Sequence, residues 1–420
     1  MDTAPTRAAG LARLHAFLPA AGRLYAARRN HDDGPQPGGR GNVSELSPFL
    51  HAGLIGMEEV LGEVLALHGE SSAEKFIAEL FWRLYFKGYL EQRPAIWADY
   101  CRGRDAALAA LGANSGLRKA YDAAVEGRTG IAAFDTWARE LVETGYLHNH
   151  ARMWFASIWI FTLRLDWRLG ADFFLRHLMD GDAASNTLSW RWVAGLHTRG
   201  KHYLARAENI ARYTAGREGG PLAAEGLVAD ADPLAEPQDY PRRPLDLPRR
   251  AVAADLARPF ALLLHEEAAH HAPLALPAAP ALVIGASRPA ARSPGALGAK
   301  ALGFAEGAMA SGLAEAAAAF GCPAVVWQAG APLGPLIEAA GVERLALAYL
   351  PSGWTRDALW PHLAPLAAAG RLVQLLGDIE RATWPHAKAG FFAVAKAIPA
   401  ILRSCGLDGC VGARGNGAAR

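Results

Sequence analysis

Little in this chain of 420 residues points to a metal, a nucleoside triphosphate or a membrane. The four cysteines, Cys101, Cys322, Cys405 and Cys410, form no CxxC pair and show no metal-finger spacing, so reduced structural thiols and no metal centre are expected. In the second half of the chain no GxGxxG follows a strand-like run and no P-loop is present, which leaves a dinucleotide or nucleoside triphosphate without support there. No apolar run reaches the roughly 18 residues that a spanning helix needs, and the N-terminus has no signal-peptide core. The expectation is a soluble cytoplasmic protein with no membrane partner. An excess of either charge is also missing: 43 Lys and Arg stand against 41 Asp and Glu, a net +2. That balance argues against a general electrostatic nucleic-acid binder, although a local basic groove is compatible with it.

What is present is apolar bulk. Hydrophobic residues make up 51% and charged residues 20%, enough for a large core and, at this length, for two domains. The stretch from Gly145 to Trp192 stands out. It carries Trp154, Trp159, Trp167, Trp190 and Trp192 among Arg152, Asp166, Asp180 and Asp182. Met153, Phe155, Ile158, Ile160 and Leu163 follow helical rather than strand spacing. Charges desolvated on such a segment must pair or coordinate something polar. A bound cofactor with a polar head and a flat ring would account for both the charges and the indoles.

Along the chain, a helix is expected over Leu11 to Ala27, followed by a turn-rich loop. A second helix is expected to start in the stretch Ser44-Glu45-Leu46-Ser47-Pro48, with a serine as N-cap and proline in its first turn. Serines at the positive end of a helix suit an anion such as phosphate. Residues 57–110 read as helical throughout, with Glu79, Trp82, Arg83 and Phe86 on one face at i, i+3, i+4 and i+7. Helices continue to about Trp192. Residues 216–257 carry Pro221, Pro233, Pro237, Pro241, Pro244 and Pro248 without periodicity and read as a linker. Beyond it, the apolar runs 259–265, 280–285, 323–328, 344–350 and 371–377 alternate with alanine-rich helical stretches. Such runs fit strands buried on both faces of a parallel sheet, giving an α/β domain over 258–404 and a fraying glycine-rich tail over 405–420. The fold class is therefore a multidomain one: all-helical over 1–215, then a C-terminal Rossmann-like α/β domain.

Six motifs in the first half occur in one order: SELSPFL (44–50), ELFWRLYF (79–86), EGRTG (126–130), GYLHNHARM (145–153), LDWRLGADFF (165–174) and DGDAASNTLSWRW (180–192). Together they resemble the helical flavin-binding domain of the DNA photolyase and cryptochrome family. The resemblance implies FAD bound in a folded conformation within a helical bundle. It assigns Ser44, Leu46 and Ser47 to the phosphates, Tyr25 to an aromatic closing over the cofactor, Arg152 and Asp180 to an ion pair beside the isoalloxazine, Asp182 to the ribose and adenine side, and Asn186 to the flavin N5 position. It also implies a pocket for a cyclobutane pyrimidine dimer made of Glu79, Trp82, Asn149, Met153 and Trp192, and a DNA partner carrying that lesion. Trp190 and Trp167 match the first two tryptophans of the family's electron relay. The third is missing before EGRTG, where Tyr121 is the nearest aromatic substitute.

The resemblance is incomplete. His150 stands where many repair enzymes place an arginine, and residues 193–214 keep the family's direction but not its wording. Lys201, Arg206 and Arg212 in that segment read as a solvated face before phosphate contacts. The family carries an α/β antenna domain ahead of the flavin domain, whereas here the α/β part follows. A relocated antenna-like domain and a generic Rossmann-like module are the two readings left open, and any second antenna chromophore is unspecified. Trp327, Trp354, Trp360 and Trp384 are expected in the core rather than against a pigment. Two functions follow from the resemblance: blue-light repair of pyrimidine dimers by a carbon–carbon lyase, or a cryptochrome-like photoreceptor with a protein partner and no repair.

Overall fold

The computed structural model describes residues 4–407. The fraying tail foreseen after Cys405 lies almost wholly outside that range, as does Cys410; Cys101, Cys322 and Cys405 are free thiols. The helical half opens with α1 (Arg7–Phe17) and α2 (Arg23–Arg28), two helices where one was expected, separated by a short turn of 3-10 helix carrying Pro19. Next come α3 (Ser47–His51) and α4 (Met57–Glu91). Glu59 caps α4 by accepting from the Gly56 amide at 2.6 Å, and Gly69, with φ 69°, kinks the helix. Pro94 separates α4 from α5 (Ala95–Ala113), so the single helical reading of 57–110 divides there. The bundle continues through α6 (Ser115–Val125), α7 (Ala132–Thr144), α8 (Asn149–Ser157), α9 (Trp167–His177), α10 (Ala183–Val193) and α11 (Ala207–Thr214).

The helix foreseen from the stretch Ser44–Pro48 begins at Ser47 with proline in its first turn, but its N-cap is Leu46 rather than a serine. Glu45 sits at φ 52°, in the left-handed region that non-glycine residues rarely enter. Its carboxylate is held there by Arg40 at 3.1 Å and Arg13 at 3.2 Å. The chain therefore turns at Ser44-Glu45 before it can coil, and the Ser44 hydroxyl accepts only weakly from the Leu46 amide at 3.4 Å. After α8 the chain widens into a π-turn, Ile158–Thr162, closed by the Leu163 amide on the Ile158 carbonyl at 2.8 Å.

The Pro-rich residues 216–257 carry no helix or strand apart from a 3-10 turn at Ala253–Leu256. All five apolar runs form strands: β1 (Phe260–His265), β2 (Leu282–Ala286), β3 (Ala324–Val326), β4 (Arg344–Ala348) and β5 (Leu372–Leu375). They make one parallel sheet in the order β3-β2-β1-β4-β5, with Leu263 opposite Ile284 on one side and Leu347 on the other. The helices are α12 (Ala299–Phe320), α13 (Gly334–Ala339), α14 (Trp354–Ala368), α15 (Asp378–Thr383) and α16 (Phe392–Ser404). Every residue of β1 is buried. Leu262 and Leu264 join the core of the helical half, while Ala261 and Leu263 join a second core with Trp327, Leu359 and Leu363. One sheet face is thus shared with the bundle, and the two halves have a common interior.

Candidate functional site

The six motifs converge on two adjoining cavities in the helical half. The smaller, about 200 Å³, is lined by Tyr25, Ser44, Leu46, Ser47, Arg152 and Asp180 among others. The larger, about 460 Å³, is lined among others by Trp82, Met153, Asn186, Trp190, Trp192 and Asp182. Glu79, Asn149, Arg152 and Asp180 line both. Every site residue expected from sequence borders one or the other except Trp167, whose ring packs on Tyr100 at 5.8 Å. The indole next to Trp190 is Trp159, 6.2 Å away and nearly perpendicular, and Trp159 meets Tyr121 at 6.1 Å.

Arg152 projects from α8, its Nε donating to the Leu147 carbonyl at 3.0 Å and Nη2 to Asp180 Oδ2 at 3.1 Å. Burial alone would raise the Asp180 carboxyl, but the Arg152 guanidinium and the Ser47 hydroxyl hold it below the usual carboxylate range. Its Oδ1 is buried without a partner. Asn186, one turn into α10, gives its Nδ2 to the Ala171 carbonyl at 2.8 Å, which leaves the amide oxygen as an acceptor toward the cavity. Glu79 pairs with Arg29 across the cavity wall. Burial pushes its carboxyl up against the pull of that guanidinium.

Asp182 is more heavily engaged than the sequence indicates. Oδ1 caps α10 through the Ser185 amide at 2.7 Å. Oδ2 lies 3.2 Å from Arg83, 3.1 Å from Lys87 and 3.6 Å from His51. Burial opposes its charge, but Lys87 and Arg83 hold its carboxyl well below the usual range, while burial keeps His51 neutral by lowering its pKa. Lys87 also pairs with Glu267 from the loop after β1. His51, Asp182 and Glu267 offer ligand atoms within 4.8 Å of one another, yet the Lys87 ammonium holds the place a metal ion would take. Lys87 could have been found from sequence, since it continues the Glu79 and Arg83 face at i+8 and i+4. Glu267 could not, because nothing local ties it to α4.

The α/β half braces the loop that carries both acids. Trp354, at the start of α14, donates Nε1–H to the Gly181 carbonyl at 2.9 Å, and Arg292 donates to the Leu178 carbonyl at 3.0 Å. A Cβ at Gly181 would lie 2.7 Å from Arg292 Nη1, so any side chain there would press on the guanidinium that holds the loop.

A helical bundle with these cavities, a buried Arg–Asp pair and a carboxamide on the pocket wall fits a flavin-binding domain, and the helical half of the chain is similar to the DNA photolyase and cryptochrome family. Residues 76–216 match the family described as the FAD binding domain of DNA photolyase. Among curated relatives, the deoxyribodipyrimidine photo-lyase of Streptomyces griseus is 34% identical over 204 residues, covering 44% of this chain and 42% of that protein. An enzyme of the same name from Thermus thermophilus is 36% identical over 200 residues, covering 46% and 43%. Among solved structures, a bacterial class III photolyase from Agrobacterium tumefaciens is 27% identical with a TM-score of 0.41, covering 50% of this chain and 42% of that one. The chain thus spans about two fifths of the length of these relatives. The cofactor of this domain class is FAD, and the residues present fit it. Asp180 Oδ1, Ser185 Oγ and Trp190 Nε1 are buried beside the larger cavity without hydrogen-bond partners, as is expected of groups that a polar ligand completes.

Among the described residues, no helix is long and apolar enough to cross a membrane. Lys201, Arg206 and Arg212 are all exposed, in keeping with a solvated face.

Proposed function

We propose that this protein is a light-driven, FAD-dependent lyase that splits cyclobutane pyrimidine dimers in DNA. The observation that carries the reading is convergence. Glu79, Trp82, Asn149, Met153 and Trp192 line the same cavity of about 460 Å³ as Arg152, Asp180 and Asn186, so lesion-side and flavin-side groups share one cleft. A damaged base costs less to flip out of the stack than a sound one, and the indoles of Trp82 and Trp192 offer stacking surfaces, each worth roughly 1–3 kcal/mol. When bound, FAD would supply one photoexcited electron to the lesion and take it back after the ring opens, with no net redox change.

The chain's own residues supply geometry and protons. Arg152, fixed by Asp180 and the Leu147 carbonyl, places a cation where an anionic ring needs one. Asn186 offers a hydrogen-bond acceptor, which suits a ring nitrogen that carries a proton. Glu79 lines the cavity with its carboxyl pushed up by burial against the pull of Arg29, and in its protonated form it would donate a hydrogen bond to a carbonyl that gains negative charge. The test is a lesion-containing oligonucleotide incubated with reduced, FAD-loaded protein under blue light. Unmodified thymines should reappear, and a fully reduced, illuminated sample that repairs nothing would remove the reading.

A second reading, a photoreceptor without repair, draws on the direct bond from Trp354 to the Gly181 carbonyl. That contact gives the α/β half a grip on the flavin loop, through which a partner could sense the state of the cofactor. Affinity for lesion DNA and its salt dependence separate the two, because repair needs phosphate contacts and signalling does not.

A further inference from the structure

Trp82, in the wall of the lesion-side cavity, is backed by a residue of the α/β half. Phe391, just before α16, stacks on Trp82 with ring centroids 4.0 Å apart and planes 14° from parallel. An indole has two faces. With one covered by Phe391, the other and the ring edge are what Trp82 presents to the cavity it lines. The segment that brings Phe391 there is pinned to α4 and to the residues just beyond it. Tyr85 Oη donates to the Ala389 carbonyl at 2.7 Å, Arg93 Nη2 to the Lys388 carbonyl at 2.6 Å, and Gln92 Nε2 to the Ala387 carbonyl at 3.0 Å. Those bonds hold the next residue, Phe392, in the open: it is 71% exposed, the most exposed large apolar side chain among the described residues. Lys396 lies over its ring at 4.5 Å.

Charge in this segment runs one way. From Arg381 to Leu407 the charged residues are Arg381, Lys388, Lys396 and Arg403, with no acid among them, in a chain whose overall balance is nearly neutral. Lys388 and Lys396 are exposed. An aromatic side chain held in water between two cations, one residue from a ring that backs a base-stacking tryptophan, has the chemistry to meet a nucleic-acid strand.

We propose that the segment from His386 to Lys396 of the α/β half completes the DNA face of the lesion pocket. Phe391 is a positioning residue that backs Trp82. Phe392 is a wedge that fills the gap left in a duplex when the dimer leaves the stack, and Lys388 and Lys396 meet the flanking phosphates. The proposal rests on the lesion-binding reading above and adds to it the strand that the second half of the chain contacts.

The experiment compares full-length, FAD-loaded wild type with Phe392→Ala and with Lys388→Ala/Lys396→Ala, on lesion-containing single strands and duplexes at several salt concentrations in the dark. The flavin spectrum serves as the check that each variant is folded and loaded. Phe392→Ala should weaken duplex binding by roughly 5- to 20-fold and leave single-strand binding within about 2-fold, because only a duplex has a gap to fill. The double lysine variant should flatten the dependence of log K on log salt by about 1 to 2 units. Wild-type affinity and salt slope in both variants, with wild type binding lesion DNA well, would overturn this assignment alone. Failure of wild type to prefer lesion DNA at all would overturn the lesion-binding reading together with it. Phe391→Leu provides a second check: a loosened Trp82 should weaken single strand and duplex alike while FAD content stays unchanged.

Discussion

Asp180 and Glu266 are both buried carboxyls, and they titrate in opposite directions. Asp180 is held below the usual range by Arg152 and Ser47, so its contribution to stability is present above the ordinary carboxylate pKa and is lost as pH falls through the lowered one. Glu266, after β1, is pushed up to about 7 by burial, against the opposing bond from the Arg288 amide. Its proton is retained on folding, so stability falls as pH rises from the ordinary value near 4.5 to about 7. The thermal midpoint should therefore peak on the acidic side of neutrality. Glu266→Gln should leave stability near pH 5 almost unchanged and raise it at pH 8 by an amount on the order of 3 kcal/mol. Parallel melting curves for variant and wild type across that range would refute the assignment. Asp180→Asn acts on the cofactor instead. It weakens the anchor of Arg152, and the loss of a charged hydrogen bond, about 1.5–3 kcal/mol, corresponds to a 10- to 100-fold weaker hold on FAD. Flavin retained per protein after gel filtration measures it.

Between α9 and α10 the deciding residue is Gly170. A Cβ there would lie 2.3 Å from Trp190 Cη2 and 2.9 Å from Trp159 Cε2, so a glycine is what lets the helix pass the two indoles. Gly170→Ala should cost about 1–3 kcal/mol through overpacking, read as a lower thermal midpoint. The same contact bears on electron supply. Sequence resemblance pairs Trp190 with Trp167, but the ring beside Trp190 is Trp159, which leads on to Tyr121. Trp159→Phe should therefore slow light-driven reduction of bound flavin by about 10-fold or more, and Trp167→Phe less; the reverse order would restore the pairing expected from sequence. This contrast shows what can be read in advance. The residues of the six motifs are legible because each motif is local, and the five strands because an apolar run buried on both faces leaves an uninterrupted signature. The turn before α3 is not legible, because Arg13 and Arg40, distant from it in sequence or outside its helical pattern, hold Glu45 at a positive φ and leave Leu46 as the N-cap. Trp159 is visible in the sequence only as one more apolar residue, since the π-turn that follows α8 and the crossing of α10 decide which rings meet.

For the molecule as a whole, the flavin loop is gripped by groups from the half of the chain that carries none of the six motifs. Trp354 bonds the Gly181 carbonyl, Arg292 the Leu178 carbonyl, and Glu267 holds Lys87 against Asp182. None of these partners could be inferred from sequence, because each lies more than 100 residues from its mate and no periodicity links them. Their effect is that Asp180 and Asp182, buried charges in the loop between α9 and α10, are fixed from both sides. Trp354 is the most informative of the three, being 1% exposed and in contact with the loop backbone rather than with the cavity. Trp354→Phe keeps most of the packing but removes the donor, which should cost about 1 kcal/mol of stability. If the α/β half sets the loop, flavin affinity should fall by roughly 3- to 10-fold in the same variant, although no atom lining the flavin cavities has been changed. Trp360→Phe, on the same helix but packed in the second core, serves as the comparison and should lower the thermal midpoint without releasing flavin. Equal flavin retention in the two variants would mean that the α/β half supports the bundle without shaping its site.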